Sequence, residues 1–181
     1  GSEMCIRDSY KSGALYLKSN MTLQMAEGAT LLGSERAEDY PLAGYIQYPY
    51  STTVRPASLI NALPRDPKQH QRFENIRIVG PGTIDGNGWK RQADVLDETG
   101  QALPFYLPSD NTRYMLDGVL AKAQVEQAVA RGMNVKDAYG QMRSSLITLR
   151  DVKNVFYGGF TVLNPAYHGI MNLETENVVL A

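Results

Sequence analysis

The stretch that decides the fold is residues 154–180, NVFYGGFTVLNPAYHGIMNLETENVVL. Asn154 and Asn177, 23 residues apart, each follow a polar stretch and open an apolar–any–apolar run, as Asn20 and Asn75 do earlier in the chain. Asn tolerates the left-handed backbone of a tight turn better than other non-glycine residues. A turn Asn that feeds a short strand, repeated at about 20 to 25 residues, predicts a parallel β-solenoid.

Outward from this stretch, strand-like segments alternate with two long excursions. Apolar alternation and turn residues predict the trunk strands, whereas the excursions lose this pattern over residues 33–71 and about 90–142. The segments predicted to be strands are residues 14–17, 21–25, 29–32, 57–63, the run that resumes at Phe73, and those within 144–181. Long excursions from a rigid scaffold commonly form binding clefts.

The second excursion contains one predicted helix, over residues 119–131 (VLAKAQVEQAVAR). Its residues are strong helix formers, and Gly132 supplies the stop. The apolar stripe expected to be buried consists of Leu120, Ala121, Val125, Ala128 and Val129. The predicted fold is therefore all-β: an incomplete parallel β-helix with two excursions, one of which contains an α-helix.

The first nine residues, GSEMCIRDS, resemble the translation of a transposase-adapter sequence used in preparing sequencing libraries. We expect residues 1–9 to be non-native and residues 10–181 to be the native part. Cys5, the only cysteine, lies in this segment, so the native part is expected to have no disulfide and no cysteine metal site.

Charge and hydropathy exclude two classes of partner. The chain has 18 basic and 19 acidic residues, and without residues 1–9 the two signs balance. The sequence has no cluster of basic residues that would predict nucleic-acid binding. It also has no apolar run that approaches the ~20 residues of a membrane-spanning helix.

Three blocks of the sequence resemble the amino-terminal half of glycoside hydrolase family 28, the polygalacturonases and related exo-acting enzymes. The blocks are SGALYLKSNMTLQMAEGATLLGS, IRIVGPGTIDGNGW and RSSLITLRDVKNVFYGGFTVLNPAYHGIMNLETENV. The resemblance implies a right-handed parallel β-helix that hydrolyses α-1,4 galacturonic linkages of pectic polysaccharide or oligogalacturonides. The long excursions favour exo action, and the family favours a secreted or periplasmic location.

The catalytic motifs that the resemblance implies are not in this chain. Family members carry acidic residues in Asn-x-Asp and Asp-Asp motifs, followed by Gly-His-Gly and Arg-x-Lys, and all are expected beyond Ala181. The implied mechanism is inversion, with a carboxylic acid and a carboxylate base about 6.5–9.5 Å apart. Residues 10–181 are thus expected to be the amino-terminal part of one catalytic domain, truncated before its catalytic residues and inactive alone.

Four residues are candidates for substrate binding. His168, in NPAYHGI, lies where family members often carry an aromatic residue or His near the groove, and its alternative is a packed or surface histidine. Tyr167 could stack on a sugar ring or belong to the core or rim. Arg143 suits a galacturonate carboxylate, because guanidinium binds carboxylates in a bidentate fashion, or else forms a salt bridge to an excursion. Arg55 has the same two interpretations.

Two further residues, Asp85 and His70, are not predicted to form a cofactor or metal site. Asp85 lies in the glycine-rich block GPGTIDGNG, which fits neither a dinucleotide fingerprint nor a calcium loop, so it is expected to be structural. His70 has no Cys or His close by in the sequence. No metal and no cofactor are therefore expected.

The fold alone leaves two other functions open, because function depends on the site. One is a β-helix polysaccharide lyase, which would need calcium and a basic residue. The other is a non-catalytic β-solenoid, such as an adhesin or tail-fibre domain.

Overall fold

A computed structural model describes residues 1–44, 46, 53–64, 71–89 and 119–181. Most strands belong to three parallel sheets, which together form the trunk. The first sheet has the order β1-β4-β9-β12-β15, the second β13-β10-β5-β2 and the third β14-β11-β8-β3. A short antiparallel pair, β6-β7, lies outside the trunk.

The strands are short and follow the chain from sheet to sheet, so one turn of the solenoid takes one strand from each sheet. Their bounds are β1 Ser2–Ile6, β2 Ser9–Ser12, β3 Leu15–Tyr16, β4 Met21–Met25, β5 Thr30–Gly33, β6 Leu42–Ala43, β7 Arg55–Pro56, β8 Ile60–Ala62, β9 Phe73–Val79, β10 Thr83–Asp85, β11 Ile147–Arg150, β12 Val152–Gly158, β13 Thr161–Leu163, β14 Ile170–Leu173 and β15 Glu176–Leu180. A 3-10 turn covers Ala37–Asp39, and the helices are α1 Leu120–Ala130 and α2 Val135–Gln141.

Apolar side chains at equivalent positions stack from coil to coil inside the trunk. In the first sheet Leu23 pairs with Ile78, and Ile78 pairs with Tyr157. All three side chains are buried. Buried and more exposed residues alternate along these strands, as in β9 and β12, because only the inward face of each strand is covered. This explains the apolar–any–apolar runs of the sequence.

The four turn asparagines form a ladder along the outside of the first sheet. Asn20, Asn75, Asn154 and Asn177 have φ angles of 59°, 55°, 62° and 55°, so the predicted left-handed conformation is confirmed. The Nδ2 of each later asparagine donates to the Oδ1 of the preceding one, over 2.7, 2.9 and 3.0 Å. The sequence pattern therefore marks both the turn and the contact between coils.

Both excursions leave the trunk between the second and third sheets, a position called here the corner. The first begins after β5 and returns at β8, and the second begins after β10 and returns at β11. In the next coil the corner is only the short turn 164–169, between β13 and β14. The bases of the two excursions and this turn are therefore stacked on one edge of the solenoid. Residues 45, 47–52 and 90–118 of the excursions lie outside the described residues, as do residues 65–70, including His70, which follow β8 in the chain.

Residues 1–9 were assigned no structure from the sequence, yet they contribute strands. β1 pairs in parallel with β4, from Ser2 opposite Met21 to Ile6 opposite Met25, and Ile6 is buried. This pairing places the segment at the edge of the first sheet.

The predicted helix is present as α1, with one error in its buried face. Leu120, Ala121, Val125 and Ala128 are buried as predicted, but Val129 is 37% exposed. Gly132 has a φ of 97°, the left-handed conformation of a helix stop. The prediction for Val129 was wrong because the buried stripe includes a polar residue, Gln124, which binds the trunk.

Candidate functional site

The corner brings together the four residues that the sequence singled out. Arg55 lies on β7, where the first excursion returns, and Arg143 precedes β11, where the second returns. Tyr167 and His168 lie in the short turn of the next coil. These four residues, called here the site cluster, come from three successive passes of the chain at the corner.

Arg143 lies at the bottom of the cluster and is only 7% exposed. Its Nε donates to the Tyr139 carbonyl oxygen over 2.6 Å, and its Nη1 donates to the Ala166 carbonyl oxygen over 2.9 Å. The guanidinium carbon lies 3.9 Å from the ring centroid of Tyr139 and 4.7 Å from that of Tyr167. Arg143 thus contacts the second excursion through the carbonyl and ring of Tyr139, and the next coil through the Ala166 carbonyl and the Tyr167 ring.

Arg55 is half-buried and reaches the last turn of α2. Its Nη1 donates to the carbonyl oxygens of Gly140 and Gln141, over 3.0 and 3.3 Å. Its guanidinium carbon lies 5.5 Å from the Tyr167 ring centroid. Two arginines thus approach the carboxyl end of α2, where backbone carbonyls carry partial negative charge.

Tyr167 and His168 are partly exposed, and their rings are 3.9 Å apart at the centroids with an angle of 45° between planes. The His168 Nδ1 atom is buried and has no hydrogen-bond partner among the described residues. Burial lowers the pKa of His168, and the positive charges of Arg55 and Arg143 lower it further. The cluster is therefore electropositive and holds a neutral imidazole beside two cations.

A cavity of about 520 Å³ opens beside the cluster, against α2. Its charged lining residues are Lys136, Asp137 and Arg143. A larger cavity, of about 630 Å³, is lined by none of the four cluster residues and lies beside β3 and β6. We place the candidate site at the smaller cavity, because convergent polar and aromatic groups, rather than volume, give a site its chemistry. The lining of the smaller cavity is Lys136, Asp137, Tyr139, Gly140, Gln141, Arg143 and Tyr167.

Sequence reasoning missed α2 and the residues that hold it. The available signal was Asn134, whose Oδ1 accepts a hydrogen bond from the Asp137 backbone N–H over 2.9 Å and caps the helix. Trp89 was also missed: its Nε1 donates to the Ala166 carbonyl oxygen over 3.0 Å, and its ring packs edge-on against Tyr139.

Asp85 has the structural role that was predicted. Its Oδ1 accepts from the Asn87 backbone N–H over 2.8 Å and from Asn164 Nδ2 over 3.1 Å. The carboxylate thus joins β10 to the turn of the next coil, immediately below the site cluster.

Across residues 1–44, 46, 53–64, 71–89 and 119–181, no group of three or more His, Cys, Asp or Glu could hold a metal ion. Within the same ranges, the helices are too short or too polar to cross a membrane.

Comparison with known proteins gives two relatives of high identity. An exo-poly-alpha-D-galacturonosidase of Dickeya chrysanthemi is 58% identical over 170 residues, 94% of this chain. The structure of the family 28 exopolygalacturonase of Yersinia enterocolitica matches 98% of this chain with 59% identity and a TM-score of 0.81. The predicted resemblance to glycoside hydrolase family 28 is confirmed. No family model matches the chain.

The family 28 relatives are much longer than this chain. The chain spans 28% of the Dickeya chrysanthemi relative and 31% of the Yersinia enterocolitica structure. A hyperthermoactive exopolygalacturonase from Thermotoga maritima, 20% identical with a TM-score of 0.61 over 99% of this chain and 38% of its own, shares the fold. The predicted all-β class and right-handed parallel β-helix are confirmed.

Proposed function

We propose that this chain is the amino-terminal part of an exo-acting hydrolase of α-1,4-linked galacturonan in pectin or pectic oligosaccharides. The observation that carries the proposal is 58–59% identity, over nearly the whole chain, to proteins named as exo-galacturonosidase and exopolygalacturonase. In this proposal residues 10–181 supply coils of the catalytic domain, and residues 1–9 are not native to it. The acid and the base are supplied by sequence outside residues 1–181.

The site cluster is proposed to bind substrate at the corner. Galacturonate carries a carboxylate on each sugar ring, so its recognition needs positive charge and a flat surface for the ring. Arg55 offers positive charge and hydrogen-bond donors, the neutral imidazole of His168 offers a ring nitrogen, and Tyr167 offers a ring face. The position of the cluster, where both excursions leave the solenoid, supports an enclosed groove suited to chain ends.

The experiment is to express the complete reading frame and assay it on polygalacturonate. We expect release of monomer or dimer from chain ends with slow loss of viscosity, and products that appear first with inverted anomeric configuration in proton NMR. The 181-residue chain is the matched control and is expected to be inactive. Products with an unsaturated ring, seen by ultraviolet absorbance, would replace the hydrolase with the lyase alternative. Binding without any product would favour the non-catalytic solenoid.

A further inference from the structure

Arg143 differs from the other three cluster residues in what it can offer a ligand. It is buried, its Nε and Nη1 already donate to carbonyl oxygens, and its planar face lies against Tyr139 and Tyr167. A buried guanidinium is costly to desolvate unless its hydrogen bonds are made within the protein. The contacts of Arg143 meet that requirement through α2 on one side and the 164–169 turn on the other.

Two side chains converge on the same acceptor in that turn. Arg143 Nη1 and Trp89 Nε1 both donate to the Ala166 carbonyl oxygen, over 2.9 and 3.0 Å. The residue after Ala166 is Tyr167, and the next is His168. Any displacement of the Ala166 carbonyl therefore moves the two residues that face the proposed ligand.

Arg55 is the second arginine that binds the last turn of α2. It donates to the carbonyl oxygens of Gly140 and Gln141, one and two residues after the Tyr139 carbonyl that Arg143 contacts. Unlike Arg143, it is half-buried, so part of its side chain remains accessible. The two arginines thus share the last turn of α2 but differ in exposure.

We propose that Arg143 is a positioning residue, which clamps α2 to the 164–169 turn and thereby orients Tyr167 and His168, while the accessible part of Arg55, which binds the lining residues Gly140 and Gln141, supplies positive charge for the ligand carboxylate. The identity of that ligand, an oligogalacturonide, rests on the proposed function. The clamp itself rests only on the contacts of Arg143. Other charged groups near the cluster are Lys136 and Asp137, both exposed on α2.

The clamp is tested without any ligand by NMR of the histidine rings. The chain has two histidines, His70 and His168, so a His70→Gln variant assigns the signals of His168. In this background Arg143→Lys keeps the charge but cannot reproduce the planar fork or the stacking. We expect Arg143→Lys to weaken the Tyr167–His168 ring contacts in NOE spectra and to raise the pKa of His168 towards its ordinary value. Unchanged ring contacts and pKa in Arg143→Lys would overturn the clamp.

A second variant and a matched control guard against simple unfolding. Tyr139→Leu removes the ring beneath the guanidinium while leaving Arg143 in place, and we expect the same displacement of Tyr167 and His168. Arg77→Met is the control, because Arg77 also lies over an aromatic ring, that of Phe156, at 4.8 Å on the first sheet. It is expected to leave the His168 signals unchanged.

A second experiment measures binding by titrating trigalacturonate into the 181-residue chain and its variants. We expect Arg143→Lys and Arg143→Met to raise Kd by a similar factor, roughly tenfold, and Arg55→Met to abolish measurable binding. If Arg143→Lys binds trigalacturonate fully and Arg143→Met does not bind it, Arg143 acts through its charge. This result would overturn the proposal. No binding by the unmodified chain would count against the proposed substrate site, and the NMR arm would still decide the clamp.

Discussion

In the trunk the asparagine ladder and the apolar stacks recur from coil to coil, whereas α1 and α2, called here the helical unit, are joined to the trunk by individual contacts of different kinds. The trunk repeats the asparagine ladder and the interior apolar stacks over several coils. The helical unit is held by contacts of Gln124, Arg143 and Trp89, of which Gln124 binds Ser144 and the other two share the Ala166 carbonyl oxygen. The destabilisation caused by losing one contact should therefore be spread over neighbouring coils in the trunk. In the helical unit it should be concentrated at the corner.

The largest effect is expected at Gly88, where the two regions meet. A Cβ there would lie 2.1 Å from the Ala166 backbone nitrogen, and the Gly88 carbonyl oxygen accepts from the Val119 N–H over 3.0 Å. Gly88→Ala should destabilise the chain by about 3 kcal/mol or more, because backbone must move on both sides. Thermal and denaturant unfolding measure the loss.

The control for this change is Gly140→Ala in α2, where, apart from the chain neighbours and the helix's own backbone, no atom of the described residues lies within 4 Å of the added Cβ. This variant should be neutral or stabilise by up to about 1 kcal/mol, since alanine favours helix over glycine. Equal stability of the two variants would contradict the close packing of the corner.

The next effect concerns Gln124, which joins α1 to the trunk. Its Oε1 accepts from the Ser144 N–H over 2.8 Å, and its Nε2 donates to Ser144 Oγ over 2.6 Å. Gln124→Ala leaves a buried N–H without its partner and should cost about 2 kcal/mol. Hydrogen exchange should accelerate in α1 and α2 while the first sheet stays protected, and Gln127→Ala on the same helix should change neither. Uniform acceleration would show that the two regions are not energetically separate.

A smaller effect is expected in the repeated part. Asn154→Ala removes one rung of the ladder, with its bonds to Asn75 and Asn177, and forces alanine into a φ near 62°. The expected cost is about 1–2 kcal/mol, and Asn154→Gly should recover the backbone portion of it. The bond between Asn20 and Asn75 should persist. A loss in Asn154→Ala larger than that of Gln124→Ala would reverse the comparison between trunk and helical unit.

The smallest effect is a pH dependence at the site cluster. Because the pKa of His168 is lowered by burial and by two arginines, the folded chain binds its proton less readily than the unfolded chain does. Stability should therefore be retained above the ordinary histidine pKa of about 6.5 and decrease as the pH falls below it. His168→Gln should flatten this dependence in unfolding curves recorded between neutral pH and about pH 5. An unchanged slope would place the responsible group elsewhere.

The trunk was predictable from the sequence because its physics repeats. Asn154 and Asn177 reveal a turn by residue type and a coil by spacing, and strand β4 was predicted with its observed bounds. Residues 1–9 were different: an interpretation of their origin gave no information on whether they could add a strand to the edge of the first sheet.

The site cluster was predicted by residue type but not by arrangement. Arg143 was given two interpretations, a galacturonate carboxylate or a salt bridge to an excursion. The carbonyl oxygens to which its guanidinium donates belong to the backbone and leave no mark in a sequence. The helix α2 is short, and its apolar residues pack on Trp89 and Met133 rather than forming a long periodic stripe. That both excursions leave at the same corner follows from the order of strands in three sheets, which residue patterns alone do not give.

The ladder also bears on how such a chain can acquire new parts. Successive rungs are separated by 55, 79 and 23 residues, yet they make the same bond at nearly the same length. Closing a loop of 79 rather than 23 residues costs only about 1 kcal/mol more, because the entropy rises with the logarithm of length. Segments of very different size can thus be spliced in at the corner while the coils on either side keep their alignment, so the periodic scaffold can be inherited unchanged as the inserted loops diversify.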